Sequence, residues 1–173
     1  MIKIILFGDL EDKKITKLLI NNLEGKYNIT YQAPKTIISY TVKNFSQEIL
    51  IIETDSLEII DSFNTIIIFK NNIKNNINLK IKNDVNIIVF SQNIKAIKFL
   101  NKSRLKNIIT FGYKLTDSLT FSSSDSETKT ICLQRQVKAL TGKIIEPFEL
   151  SIKNKINIFD LLPIYGVKIL LER

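Results

Sequence analysis

The chain has 173 residues, 45% of them hydrophobic and 24% charged, enough apolar material for one packed domain and too much for a disordered segment. Lys and Arg number 25 against 17 Asp and Glu, a net charge of +8, and there is no His, no Trp and a single Cys. These counts exclude a Ser-His-Asp triad, a Cys-His dyad, a His general base, a His-containing zinc site and an internal disulfide.

In chain order, residues 2–7 are an apolar run ending at Gly8, which predicts a buried strand. Beyond a polar loop, Ile15, Leu18, Leu19 and Leu23 recur at helical spacing, and Gly25 stands at the expected C-terminal stop. Residues 27–31 predict a second strand, stopped by Pro34, and residues 37–42 a third. Residues 49–52 run into Glu53-Thr54-Asp55-Ser56, and residues 65–69 and 85–90 are further apolar strands. Ser91-Gln92-Asn93 is a helix-starting cluster, Ile94, Ile97 and Leu100 mark the helix, and residues 108–111 form a strand ending at Gly112. Short apolar strands alternating with helices predict βαβ units and a parallel sheet covered on both faces.

Past residue 113 the pattern changes. Residues 119–121, 129–137 and 148–152 predict antiparallel strands, with a hairpin closed near Thr141-Gly142 across which Arg135 pairs with Glu146 or Glu149. Residues 158–171 predict an apolar helix interrupted at Pro163 and Gly166. The expected architecture is a single domain, a three-layer α/β sandwich with a mainly parallel sheet over residues 1–112 and an antiparallel, strand-rich extension over 113–173. No apolar run of about 18 residues predicts a membrane helix, and residues 1–7 read as a strand, not a signal peptide. A cytoplasmic location is the resulting expectation. Cys132 sits in an apolar stretch and is expected to be a buried small hydrophobe.

The charge is concentrated. Residues 61–115 carry ten cations and only Asp61 and Asp84 as acids. Lys95, Lys98 and Lys102 fall on one helical face, with Arg104 and Lys106 beyond, a pattern that could meet an anionic partner. Only Phe99 interleaves, so base stacking is not supported and nucleic acid is not the expected partner. A solvated helix face is the plainer reading.

The loop after the first strand, Gly8-Asp9-Leu10-Glu11-Asp12-Lys13-Lys14-Ile15-Thr16, lies where a parallel sheet usually binds nucleotide phosphates. Together with the later strands of the parallel part, it resembles the central ATP-binding domain of the Mur ligases, which add amino acids to peptidoglycan precursors. Gly8 and Thr16-Lys17-Leu18-Leu19 match the family loop. Ile51-Ile52-Glu53-Thr54-Asp55-Ser56 is similar to the strand whose Glu helps to hold magnesium. Ile66-Ile67-Ile68-Phe69-Lys70-Asn71-Asn72-Ile73, Ile87-Ile88-Val89-Phe90 and Ile108-Ile109-Thr110-Phe111-Gly112 resemble later family strands in the same order. The resemblance covers residues 1–125, and the expectation is that the terminal domains of a full ligase are absent.

The departures fall on the chemistry. In the gapless register Glu11 replaces a loop Gly, Asp12 the phosphate-binding Lys and Lys13 the magnesium-binding hydroxyl; a shift of one aligns Lys13 with the family Lys instead. The family's Asp-His pair falls on Asn75-Asn76, and its Asn-x-Asp-Asp stretch becomes Phe90-Ser91-Gln92-Asn93. Glu11 and Asp12 would set like charges against a triphosphate. The expectation is therefore a catalytically degenerate module with no ATP or magnesium cofactor. Its partner would be another protein, and the resemblance alone would link it to cell-wall metabolism. Two other readings stay open: a nucleotide-dependent ligase or hydrolase using Glu53 and Lys13, and an anion-binding module built on Lys95, Lys98 and Lys102. Each candidate also has a structural reading. Gly8 serves a turn, Asp9, Glu11 and Asp12 complement a helix dipole, and Glu53 and Asp55 are either a vestigial metal pair or a solvated strand end. An acidic receiver-like pocket fits poorly, because Asp55 lies past the strand and Lys95 is displaced.

Overall fold

A computed structural model describes residues 1–34, 36–40, 47–56, 59–60, 64–74, 77, 80–81, 84–103, 105–123, 128–153 and 155–172. In chain order they form β1 (Ile2–Phe7), α1 (Lys14–Leu23), β2 (Asn28–Ala33), β3 (Thr36–Tyr40), β4 (Glu48–Thr54), β5 (Ile59–Ile60), β6 (Thr65–Phe69), β7 (Lys80–Ile81), β8 (Asn86–Phe90), α2 (Ile94–Lys102) and β9 (Ile108–Phe111). The remaining elements are β10 (Leu119–Ser123), β11 (Thr128–Leu133), β12 (Val137–Lys138), β13 (Ile144–Ile145), β14 (Phe148–Lys153) and α3 (Ile158–Leu171).

Ten strands make one sheet in the order β14-β11-β10-β9-β8-β6-β1-β4-β2-β3. The run from β2 through β4, β1, β6, β8 and β9 to β10 is parallel. Antiparallel strands close both edges, β3 on β2 and β11 with β14 beyond β10. Alternation along each buried strand sends side chains to two different cores. Ile4, Leu6, Ile66, Ile68 and Ile88 cluster with α1 and α3, while Ile5, Phe7, Ile67, Phe69, Ile87 and Val89 cluster with Ala96 and Leu100 of α2. The layers are thus helix, sheet, helix, with β-branched Ile suiting strands buried on both faces. The expected α/β sandwich with an antiparallel extension is what the chain forms.

Several local expectations need correction. Residues 129–137 are not one strand: β11 ends at Leu133, and β12 pairs with β13 in a separate hairpin. Arg135 lies in the link between them, and its guanidinium donates to the Thr116 carbonyl oxygen rather than pairing with Glu146 or Glu149. α3 runs unbroken through Pro163 and Gly166. It is buried on nearly every side, so packing outweighs the backbone bond that Pro163 cannot donate. A Cβ on Gly166 would come within 3.1 Å of Ile88 Cδ1, so this Gly sets how closely α3 sits on β8. Asn93 caps α2 as expected, its side chain accepting from the Ala96 N–H at 3.1 Å. Residues 41–42 of the expected third strand lie outside the described residues.

Candidate functional site

β1 lies between β4 and β6 in the sheet. The chain leaves it through α1 toward β2 on one side, and later strands build outward on the other, which makes the C-terminal end of β1 a topological switch point. Three segments meet there: the loop after β1, the end of β4 and the residues after β6. Gly8 N–H donates to the Thr54 carbonyl at 3.0 Å, Asp9 N–H to the Asn72 carbonyl at 2.8 Å and Lys70 N–H to the Phe7 carbonyl at 2.9 Å. Gly8 has φ +145°, and a Cβ there would lie 2.8 Å from both Asn72 O and Lys70 Cβ. Close approach of three backbones, not only a turn, therefore requires a residue without a side chain here.

The period-two rule carries charge into this junction. Glu53 lies on the same face of β4 as Ile49 and Ile51, and Lys70 continues the face of Ile66 and Ile68. Both point toward α1, and both are buried, at 1% and 0% exposure. Glu53 Oε1 accepts from the Lys70 ammonium and, at 2.8 Å, from Thr16 Oγ1. Glu53 Oε2 accepts from the Lys13 ammonium and the Tyr31 hydroxyl. Four donors take up the roughly four lone-pair positions of a carboxylate. Lys70 also donates to the carbonyl oxygens of Asp9 at 2.8 Å and Asp12 at 2.7 Å, which uses its three N–H bonds. Burial pushes the Glu53 carboxyl up, but the bonds from Lys13, Lys70, Tyr31 and Thr16 outweigh it and hold it below the ordinary glutamate value. Burial acts to lower Lys13, and its bonds to Glu53 and Tyr31 reverse this and raise it. Tyr31 is raised by burial and by the Glu53 carboxylate.

The expected loop residues thus divide. Gly8, Lys13 and Thr16 belong to the junction. Asp9 faces outward, accepting from the Glu11 N–H and pairing with Lys74 at 2.9 Å; that bond lowers its carboxyl pKa. Asp12 accepts from the Lys14 N–H at 3.2 Å, a helix-terminus contact of the kind expected for these acids. Asp55 lines a 160 Å³ cavity with Asp9, Glu11, Ile73 and Lys74. Glu53 is no solvated strand end, because alternation turns it inward under α1. Among the described residues no group of three acidic or Cys side chains could hold a metal ion. The Lys95 ammonium donates to the carbonyls of Ile73 at 2.7 Å and Lys74 at 3.2 Å, and Lys95, Lys98 and Lys102 are all exposed on α2. Arg104, Asn75 and Asn76 lie outside the described residues. Lys70 and Tyr31 join the junction without having been singled out by the sequence. The available signal was parity, since Ile66-x-Ile68-x-Lys70 and Ile49-x-Ile51-x-Glu53 put a base and an acid on one face of strands that both flank β1.

No protein-family model matches the sequence, and no curated protein matches it. Solved structures do match the fold. A murein peptide ligase from Psychrobacter arcticus aligns with 96% of this chain and 43% of its own, at 13% identity and a TM-score of 0.58. UDP-N-acetylmuramate:L-alanyl-γ-D-glutamyl-meso-diaminopimelate ligase from Neisseria aligns with 96% of this chain and 60% of its own, at 10% identity and a TM-score of 0.54. UDP-N-acetylmuramoyl-L-alanyl-D-glutamate–2,6-diaminopimelate ligase aligns with 98% of this chain and 43% of its own, at 9% identity and a TM-score of 0.55. The chain has a Mur ligase-like fold and spans about half the length of these neighbours.

Proposed function

We propose that this chain is a Mur ligase-like module that neither binds magnesium–ATP nor catalyses ligation, and that it acts by binding another protein in the setting of cell-wall metabolism. One observation carries the reading: the Glu53 carboxylate, where the family resemblance places a magnesium ligand, is saturated by Lys70, Thr16, Lys13 and Tyr31. A metal at Glu53 would have to displace a buried ammonium. The loop polarity points the same way. A phosphate cradle turns backbone N–H groups inward, whereas here the carbonyls of Asp9 and Asp12 turn inward onto Lys70. The residues present do not fit a magnesium triphosphate. For the partner, the rim at the same end of the sheet offers apolar surface: Ile94, Tyr113 and Leu115 are 68%, 60% and 82% exposed.

Calorimetric titration with ATP and Mg²⁺, and then ADP, tests the proposal. It predicts no binding heat and no rise in melting temperature at millimolar nucleotide. Saturable micromolar binding that Glu53→Ala abolishes would replace it with a nucleotide-dependent enzyme.

A further inference from the structure

The Lys70 ammonium is held by oxygens from two separate segments. Glu53 Oε1 comes from β4, and the carbonyls of Asp9 and Asp12 come from the loop after β1, at 2.8 and 2.7 Å. Thr16 Oγ1 lies 2.8 Å from the same carboxylate oxygen. A carboxylate and backbone carbonyls converging on one point are the donor set of a hard-cation site. Lys13 pairs with the other carboxylate oxygen, but without a cation at Oε1 that oxygen and the two carbonyls would face each other in a buried space. We propose that Glu53, Asp9 and Asp12 form a cation site that the chain fills with its own Lys70 ammonium, and that removing this side chain exposes a site for a small external cation.

The site is preformed by its surroundings. Gly8 brings the loop against Lys70 Cβ, and the Lys70 backbone N–H is bonded to Phe7. The loop is therefore positioned by contacts that do not depend on the ammonium. Lys70→Ala removes three methylenes and the ammonium, a fragment that n-propylammonium reproduces atom for atom.

The test is thermal unfolding of the Lys70→Ala protein in tetramethylammonium chloride, a cation too bulky for the site, with additions of n-propylammonium, potassium, magnesium or calcium chloride. n-Propanol is the uncharged control. The variant should melt roughly 10 °C below the parent, the order expected when a buried carboxylate oxygen and two buried carbonyls lose the donor they share while Lys13 stays on the other carboxylate oxygen. n-Propylammonium should restore most of this saturably, n-propanol should not, and the parent should respond to neither. Lys70→Met, whose apolar stem fills the space, should be destabilised and should not respond to n-propylammonium. Equal stability of Lys70→Ala and the parent, equal rescue by n-propanol, or no rescue by any cation would overturn the proposal. If Lys70→Ala is unfolded in every buffer, the parent decides through its lysine ammonium ¹H–¹⁵N spectrum. A slowly exchanging signal, lost in Lys70→Met and unmoved by Mg²⁺, supports the built-in cation; solvent-exchanging signals alone contradict it. Nucleotide binding elsewhere on the protein would leave these outcomes unchanged.

Discussion

Glu53 and Lys70 show how much a single pair of residues decides. A buried carboxylate alone would shift its pKa upward and shed its charge; four donors keep it ionised. Glu53 binds its proton less tightly in the folded chain than in the unfolded one. Its contribution to stability is therefore complete above the unfolded value of about 4.3 and is lost as pH falls through the lower folded value. Lys13 shifts oppositely: its contribution is complete below the ordinary lysine value of about 10.4 and is lost as pH rises through the raised one. Stability should be flat near neutrality, with an acid limb that Glu53→Gln makes shallower, the lowered Asp9 carboxyl supplying part of the rest. Glu53→Gln should also cost about 3 to 5 kcal/mol at pH 7, because Lys70 is left as an uncompensated buried charge. Adding Lys70→Met to it should recover part of that loss. Urea unfolding of the three proteins from pH 3 to 8 measures all of this; an unchanged acid limb in Glu53→Gln would sink the assignment. Glu53 is singled out in the sequence by its place in the family resemblance, at the end of an apolar strand. Lys70 carries the same parity signal, but five consecutive buried residues in β6 make the alternation harder to see there than in β4.

At the scale of elements, β1, β4, β6, β8 and β9 are legible because each is a short apolar run bounded by Gly or polar clusters, and α2 because Asn93 caps it, whereas β5, β7, β12 and β13 carry no such run. α3 shows where local rules fail. Pro163 and Gly166 predict a break, but the helix is buried along its length and tertiary packing overrides propensity. Gly166 then acquires a measurable role. Gly166→Ala should be close to neutral, since about 1 kcal/mol of helix propensity is offset by the 3.1 Å approach to buried Ile88. Gly166→Ile should lose about 2 kcal/mol by overpacking. Chemical denaturation separates the two, and a stabilised Gly166→Ile would show that α3 does not press on β8 at this point.

For the whole molecule, the alternation of strands and helices is enough to read a covered, mostly parallel sheet. The strand order is not readable from sequence, because pairings between distant segments leave no local trace. That order is what assembles the buried junction. Placing β1 between β4 and β6 is what brings Lys13, Thr16, Glu53 and Lys70 to one point. One cation of the concentrated positive charge in residues 61–115 is withdrawn on folding, since Lys70 is buried on internal oxygens. The central claim is the proposal that the chain's own ammonium groups occupy the place where the family resemblance puts a nucleotide's metal. The backbone amide spectrum of residues 8–17 during titration with ATP and Mg²⁺ tests this most directly. The account predicts that these amides do not move at millimolar nucleotide. A saturable shift centred on Gly8, Lys13 and Thr16, with release of the Lys70 ammonium to solvent exchange, would contradict it.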